Sequence, residues 1–245
     1  MERTECAINA YEKVRRMSGA SDPDAIAKLV RFRAQLCMWS ERARTDEALL
    51  ITIVREALRV KRESVEMVGF VTPFDSLYLP FSMQERLLIA AATANKKLEL
   101  AAKVTTLLTP PRFDGRERLR VGYLSADVRD HPVGRDLAVV LPLHDKKRFD
   151  IWCFAINFDQ GDEFRKTVVS HVEHFVDVYP LRLDETVMTI NTEQIDLLID
   201  VMGYTMGARS EVLALRPAPM QLSWKGCALL CHDSLTYQHL ILGIP

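Results

Sequence analysis

The feature that most narrows the fold is a change of rhythm after Gly115, where short apolar runs begin to alternate with helical stretches. The runs are Leu119–Ser125, Phe149–Ile156, His174–Asp177, Leu197–Val201 and Met220–Trp224, with a weaker one at His239–Leu242. Helical stretches fall between them at about Arg135–Leu143, Asp162–Ser170, Asp184–Asn191 and Ser210–Leu215. Strands that alternate with helices imply a mostly parallel sheet, because a parallel return needs a long crossover. The expected class is α/β: a Rossmann-like parallel sheet over residues 116–245, preceded by a helical segment over residues 1–109. No G-x-G-x-x-G follows the first run, so a dinucleotide fingerprint is absent, as are a P-loop and any internal repeat.

The first segment carries helical spacing and turn signals but no pattern of reactive groups. Ala7–Arg16 reads as a short helix. Ser21-Asp22-Pro23-Asp24 reads as a helix start with Pro in the first turn, and Leu29, Phe32, Leu36 and Trp39 carry the helical period to about Trp39. Thr45-Asp46-Glu47 is the expected cap of the next helix, which runs to Arg62. Val71–Pro80 is a break, and Ser82-Met83-Gln84-Glu85 has the form of a capping box ahead of a helix from Gln84 to about Val104. Thr109-Pro110-Pro111 and Asp114-Gly115 form the linker between the two halves.

Composition excludes more than it assigns. The chain of 245 residues is 48% hydrophobic and 27% charged, enough for a sizeable core. A formal net charge of −1 gives no electrostatic case for nucleic acid or an anionic membrane as partner. Cys6, Cys37, Cys153, Cys227 and Cys231 contain no C-x-x-C, which fits a reducing compartment. Cys227, Cys231 and His232 lack a second ligand pair, so no zinc site is expected. The charged start lacks the apolar core of a signal peptide and no run approaches a membrane span, so the expected location is cytoplasmic or nuclear.

Two strand ends hold the groups with chemical potential. The first is LRVGYLSADVRDHPVGR, Leu119–Arg135, where an apolar run gives way to small and polar residues and then His131-Pro132. Ligands bind at the carboxyl ends of strands in open α/β sheets, which makes His131 a candidate; the same two residues also read as a plain turn. The second is IDLLIDVMGYTMGAR, Ile195–Arg209. Asp200, Gly203 and Thr205 at its strand end can form a polar site or simply a turn. Arg209, before a possible helix start at Ser210, can meet an anion or lie on the surface. In LRPAPMQLSW, Leu215–Trp224, two prolines hold the chain extended ahead of the next strand.

Taken together, LRVGYLSADVRDHP, the DEFR at Asp162–Arg165, IDLLIDVMGYTMGAR and ALRPAPMQLSWKG resemble, in order and spacing, the O-linked N-acetylglucosamine transferases. Cys37-Met38-Trp39, Pro73-Phe74 and Leu79-Pro80 are similar to segments of that family's helices ahead of the catalytic region. The resemblance covers roughly residues 30–245. It implies the amino-terminal lobe of a GT-B fold, whose second lobe carries most of the groups for uridine diphosphate. It implies inverting transfer of N-acetylglucosamine from UDP-GlcNAc to Ser or Thr of protein acceptors, with no metal and no cofactor beyond the donor. His131 matches the family's active-site histidine and Thr205 a cleft-lining threonine; Asp200, Gly203 and Arg209 are the accompanying substrate-binding candidates.

Departures from the family pattern are also visible. Met202 stands where the family is often polar, Met206 where it is often basic, and Cys227-Ala228-Leu229-Leu230 replaces a tyrosine-proline-glycine-threonine loop. Two alternatives therefore accompany the enzyme reading: a non-catalytic remnant that binds a partner protein, and a relative that moves another nucleotide sugar. One lobe is expected to bind the donor weakly and to transfer nothing by itself.

Overall fold

The computed structural model describes residues 2–18, 22–60, 70–105, 115–205 and 207–225. The chain divides into two compact units, Met1–Lys96 and Lys97–Pro245.

The first unit is helical: α1 (Glu2–Met17), α2 (Pro23–Gln35), α3 (Glu41–Val60) and most of α4 (Met83–Ala101). Asp22 caps α2, its carboxylate accepting the amides of Asp24 at 3.0 Å and Ala25 at 3.2 Å, with Pro23 in the first turn. Helix α2 stops short of Trp39. Cys37 takes φ +55°, Met38 N–H closes back on the Arg33 carbonyl at 2.9 Å, and Trp39 is left exposed. Helix α3 starts a turn before Thr45, capped by Ser40, whose Oγ accepts Ala43 N–H at 3.2 Å. The reason lies in Asp46. It is fully buried, and its carboxylate meets Arg33 at 2.5 Å and Arg15. Buried guanidinium groups require an acceptor, and Asp46 used as a cap would leave them without one.

The Ser82 capping box forms in both directions, Ser82 N–H to Glu85 at 2.6 Å and Glu85 N–H to Ser82 at 3.2 Å. Ile26, Val30, Leu50, Val54, Phe81 and Ile89 make the core of this unit. The Thr109–Asp114 part of the linker, Lys61 and Arg62 lie outside the described residues.

The second unit is a Rossmann-like α/β sheet. Its elements are β1 (Leu119–Ser125), α5 (Pro132–Val140), β2 (Phe149–Ala155), α6 (Glu163–His171), β3 (His174–Asp177), α7 (Leu183–Thr192), β4 (Leu197–Asp200), α8 (Ser210–Ala214) and β5 (Met220–Ser223). All pairings are parallel, in the order β3-β2-β1-β4-β5. Each of the five strands lies within a residue of its sequence-predicted limits; the run at His239–Leu242 lies outside the described residues.

Alternation decides which helix covers which face. Val121, Tyr123, Ile151, Cys153 and Ile199 pack with Leu137 and Leu141 of α5 and its 3-10 extension and with Val168 of α6. The opposite face meets α8, where Gln221 of β5 donates to the Leu213 carbonyl at 2.9 Å. Phe154 and Leu198 are fully buried, each contributing roughly 1.5–3 kcal/mol of apolar transfer.

The strand order is what positions a site. The chain builds outward from β1 through β2 to β3, then returns to place β4 on the other side of β1. Connections leave β1 and β4 in opposite directions there, which opens a crevice at their carboxyl ends.

Candidate functional site

That crevice is bordered by the loop from β1 to α5 and the loop from β4 to α8. Ser125, at the end of β1, accepts the Asp127 amide at 3.0 Å and starts a tight excursion. The excursion closes on Gly134: a Cβ there would stand 2.1 Å from the Arg129 carbonyl oxygen and 2.5 Å from that of Asp127. Only a glycine lets the helix approach so closely. His131 is the N-cap of α5, with extended backbone (φ −148°, ψ 150°) and Nδ1 accepting the Val133 amide at 3.3 Å. Pro132, with φ preset and no N–H to lose, takes the first helical position. The apparent turn His131-Pro132 is thus a helix start that fixes an imidazole.

Around His131 the loop is tied at three points. Asp127, itself buried, places Oδ2 3.4 Å from His131 Nδ1, while its Oδ1 accepts from Arg129 at 3.1 Å. Asp130 pairs with Arg135 at 2.7 Å, and its amide donates to Asp162 at 2.8 Å. Asp162 also caps α6 by accepting Phe164 N–H at 2.7 Å and Arg165 N–H at 3.3 Å, so one carboxylate joins the second helix to the histidine loop. Hydrogen bonds from Asp130, Phe164 and Arg165 hold its carboxyl below the ordinary aspartate value. A pocket of about 120 Å³ lies beside this loop, lined by Val128, Arg129, Asp130, Asn157, Phe158, Gln160, Asp162 and Arg165. The imidazole is 37% exposed, and the contacts that hold it fall on Nδ1.

The second loop is a turn built by its own acid. Asp200 is buried, and its carboxylate accepts Met202 N–H at 3.0 Å and Gly203 N–H at 2.9 Å. Gly203 takes φ +56°, and Thr205 donates to the Met202 carbonyl at 2.8 Å. Asp200, Gly203 and Thr205 therefore share one turn, in which the acid and the hydroxyl both bond to backbone. Arg209 reaches the Val178 carbonyl beyond β3 at 3.3 Å, and burial draws its guanidinium below the usual arginine value.

The two loops are neighbours. A Cβ on Gly207 would stand 3.4 Å from that of Ala126, and Met202 Sδ lies 3.2 Å from the Ala126 amide. Met202 is 1% exposed, so the residue that departs from the family pattern is a buried wedge against the end of β1. Met206 and Cys227–Leu230 lie outside the described residues, as do Cys231 and His232.

Asp127, Gly134 and Asp162 were not singled out as site residues by pattern. Asp162 carried a signal, as an acid opening a helix. Asp127 lies four residues before His131, a separation that has meaning only once the loop is folded. Among the described residues, Asp150, Glu173 and His174 bring three potential metal-ligand atoms within 4.8 Å of one another. They sit at the amino ends of β2 and β3, and Arg118 and Arg120 supply their counter-charge, Arg120 at 3.6 Å from Asp150.

A parallel α/β lobe with a polar crevice at its switch point defines a nucleotide-fold class. Comparison with known proteins narrows it. The model of glycosyl transferase family 41 matches residues 36–234, and the chain belongs to that family. It is 33% identical over 199 residues to a UDP-N-acetylglucosamine–peptide N-acetylglucosaminyltransferase of Caenorhabditis elegans, covering 78% of this chain and 17% of that protein. It is 29% identical over 198 residues to a probable enzyme of the same description, SEC, from Arabidopsis thaliana, covering 78% of this chain and 20% of that one. A mutant O-GlcNAc transferase of Thermobaculum terrenum has the same fold over 91% of this chain and 41% of its own, with a TM-score of 0.64 at 22% identity. The chain thus spans about a fifth of the length of these two curated relatives.

Proposed function

We propose that this chain forms the amino-terminal catalytic lobe of a protein O-GlcNAc transferase. The reaction is inverting transfer of N-acetylglucosamine from UDP-GlcNAc to a Ser or Thr hydroxyl of a protein acceptor. The observation that carries the reading is His131: an imidazole beyond the carboxyl end of β1 whose Nδ1 lies 3.4 Å from the buried Asp127 carboxylate, in a member of glycosyl transferase family 41. The acceptor oxygen attacks the anomeric carbon as its proton moves to Nε2, and the bond to the diphosphate breaks with its electron pair leaving on phosphate oxygen. Positioned proton acceptors contribute about 10²–10⁴-fold to such steps.

Thr205 and Gly203 shape the crevice wall, Asp200 holds their turn, and Arg209, on the loop that follows, is the cation assigned to the departing charge. The donor is the nucleotide sugar and the proposal includes neither metal nor further cofactor. In support, the three-ligand cluster among the described residues lies at the other edge of the sheet, charge-balanced by arginine. No described helix is long and apolar enough to cross a membrane, and the proposed location is cytoplasmic or nuclear, where the acceptors are proteins rather than nucleic acid or lipid.

Radiolabelled transfer to a protein acceptor, with a second lobe supplied separately, tests the reading. Turnover is expected to fall by about 100-fold or more in His131→Ala. Turnover that the substitution leaves intact would remove His131 from the chemistry. The 245-residue chain alone is expected to transfer nothing, since one side of a cleft cannot hold donor and acceptor in attack geometry.

A further inference from the structure

The contacts at His131 Nδ1 exclude one another. To accept the Val133 amide at 3.3 Å, Nδ1 must be unprotonated. To donate to Asp127 Oδ2 at 3.4 Å, it must carry the proton. An imidazole that is neutral has one N–H, so the choice of partner on the inner edge decides what the outer edge can do. With the cap made, the proton sits on Nε2 and the outer edge is a donor. With the Asp127 contact made, Nε2 holds a lone pair and can accept a proton.

We propose that Asp127 is the positioning residue that selects the proton-accepting tautomer of His131, with the Val133 amide as its built-in competitor. This deepens the reading of His131 as proton acceptor and rests on it for its catalytic meaning. Three features of the loop support the assignment. Asp127 is 5% exposed, so its charge acts with little solvent screening. Its Oδ1 is taken by Arg129 and its amide by Ser125, which fixes the carboxylate with Oδ2 toward the ring. Gly134 and the Asp162–Asp130 bond close the loop around the pair, and the neighbouring acid Asp130 is engaged by Arg135, leaving Asp127 as the carboxylate on Nδ1.

The proton step balances within these groups. The acceptor O–H bond breaks, an Nε2–H bond forms, and the imidazolium now carries N–H on both nitrogens. Asp127 Oδ2 stabilises that cation through Nδ1–H. The Val133 amide, a donor facing a donor, is already without this partner in the Nδ1–H tautomer and stays so through the step. Selection of the Nδ1–H tautomer exchanges the helix cap for the Asp127 contact, and uptake of the proton at Nε2 turns that contact into an ion pair.

The test reads the tautomer directly. Long-range nitrogen–proton correlation spectra of the full chain at neutral pH, without substrate, are expected to show His131 chiefly as Nδ1–H. In Asp127→Asn a neutral acceptor replaces a charged one, and charge-assisted bonds are about twice as strong. The ratio is then expected to move toward Nε2–H by about tenfold. A His131 that is chiefly Nε2–H in the unaltered chain, or a ratio that Asp127→Asn leaves unchanged, overturns the proposal. Should the variant fail to fold, the unaltered chain still decides through its own tautomer. Because no substrate is present, loss of the glycosyltransferase reading and loss of this one are separate outcomes: absent transfer would sink the former and leave the tautomer assignment standing.

Discussion

The two edges of the sheet each hold a buried aspartate beside a histidine, and they have been put to opposite uses. At the amino edge, His174 Nε2 lies 3.1 Å from Asp150 and the ring stacks on Trp152 at 3.9 Å. Arg118 bridges Glu173 and the Phe149 carbonyl, so the charges there are mutually satisfied. At the carboxyl edge, Asp127 and His131 meet on a loop where Arg129 also bonds Asp127, and the contacts of the ring fall on Nδ1. By charge and burial the amino edge is the more conspicuous cluster. The lesson is that a concentration of titratable groups does not by itself mark a site. The direction of the strands does, because the crevice and the free loop amides open only where parallel strands end.

The comparison can be broken most severely at Gly134. Adding a methyl group there forces it into two carbonyl oxygens of the histidine loop. Gly134→Ala is expected to cost about 3 kcal/mol or more in urea unfolding, with the start of α5 displaced. A cost under 1 kcal/mol would mean that the loop is far more yielding than its geometry indicates.

The next largest effect belongs to the amino edge. Asp150→Ala leaves Arg118, Arg120 and His174 facing one another without their shared counter-ion, and about 2 kcal/mol of stability should be lost, less than for a fully enclosed pair because the rim is open to water. Transfer activity in the two-lobed assay should be unaffected. A selective loss of turnover would show that the amino edge takes part in the chemistry after all.

Loosening the carboxyl edge without breaking it calls for Asp162→Ala. The cap of α6 and the tether to Asp130 go together, so amide exchange at Asp130 and Phe164 should accelerate while the melting temperature falls by about 2–4 °C. Exchange that quickens across the amino edge instead would argue against a local tether.

Acid gives the smallest and most graded test. Burial raises the Asp150 carboxyl, and the contact with Glu173, the His174 charge, the Trp152 N–H and Arg118 together outweigh it, so its pKa lies below the ordinary 3.8. A carboxyl depressed in the folded state stabilises above its unfolded value and ceases to do so as pH falls through the folded one. Stability should therefore decline from about pH 4 downward, less steeply in Asp150→Asn. Glu85 acts in the same sense. Arg55 and the Ser82 amide hold it at about 2, against an ordinary 4.5. An acid limb that neither Asp150→Asn nor Glu85→Gln flattens would place the titrating groups elsewhere.

The sheet was legible in the chain because its strands are short, apolar and separated by turn chemistry, all of which are local properties. The Ser82 box and the Asp22 cap were legible for the same reason. Where local signals misled, a distant charge had intervened. Thr45-Asp46-Glu47 has the composition of a cap, yet Asp46 is claimed by Arg33 and Arg15 from two other helices. Trp39 continues the helical period of α2, yet Cys37 has already turned the chain.

By itself, then, the sequence determined the α/β class, the five strands nearly to their ends and the two loops that carry the candidate residues. It did so because hydrophobic period, capping residues and prolines act within a few residues of themselves. Tertiary structure alone decided the rest. It set the strand order that makes the β1–β4 boundary a crevice, turned Asp200 inward on its own turn, and brought Asp127 against the inner edge of His131. Those outcomes depend on which backbones lie side by side and on where a buried charge finds its partner, and neither is a property of any one stretch of chain.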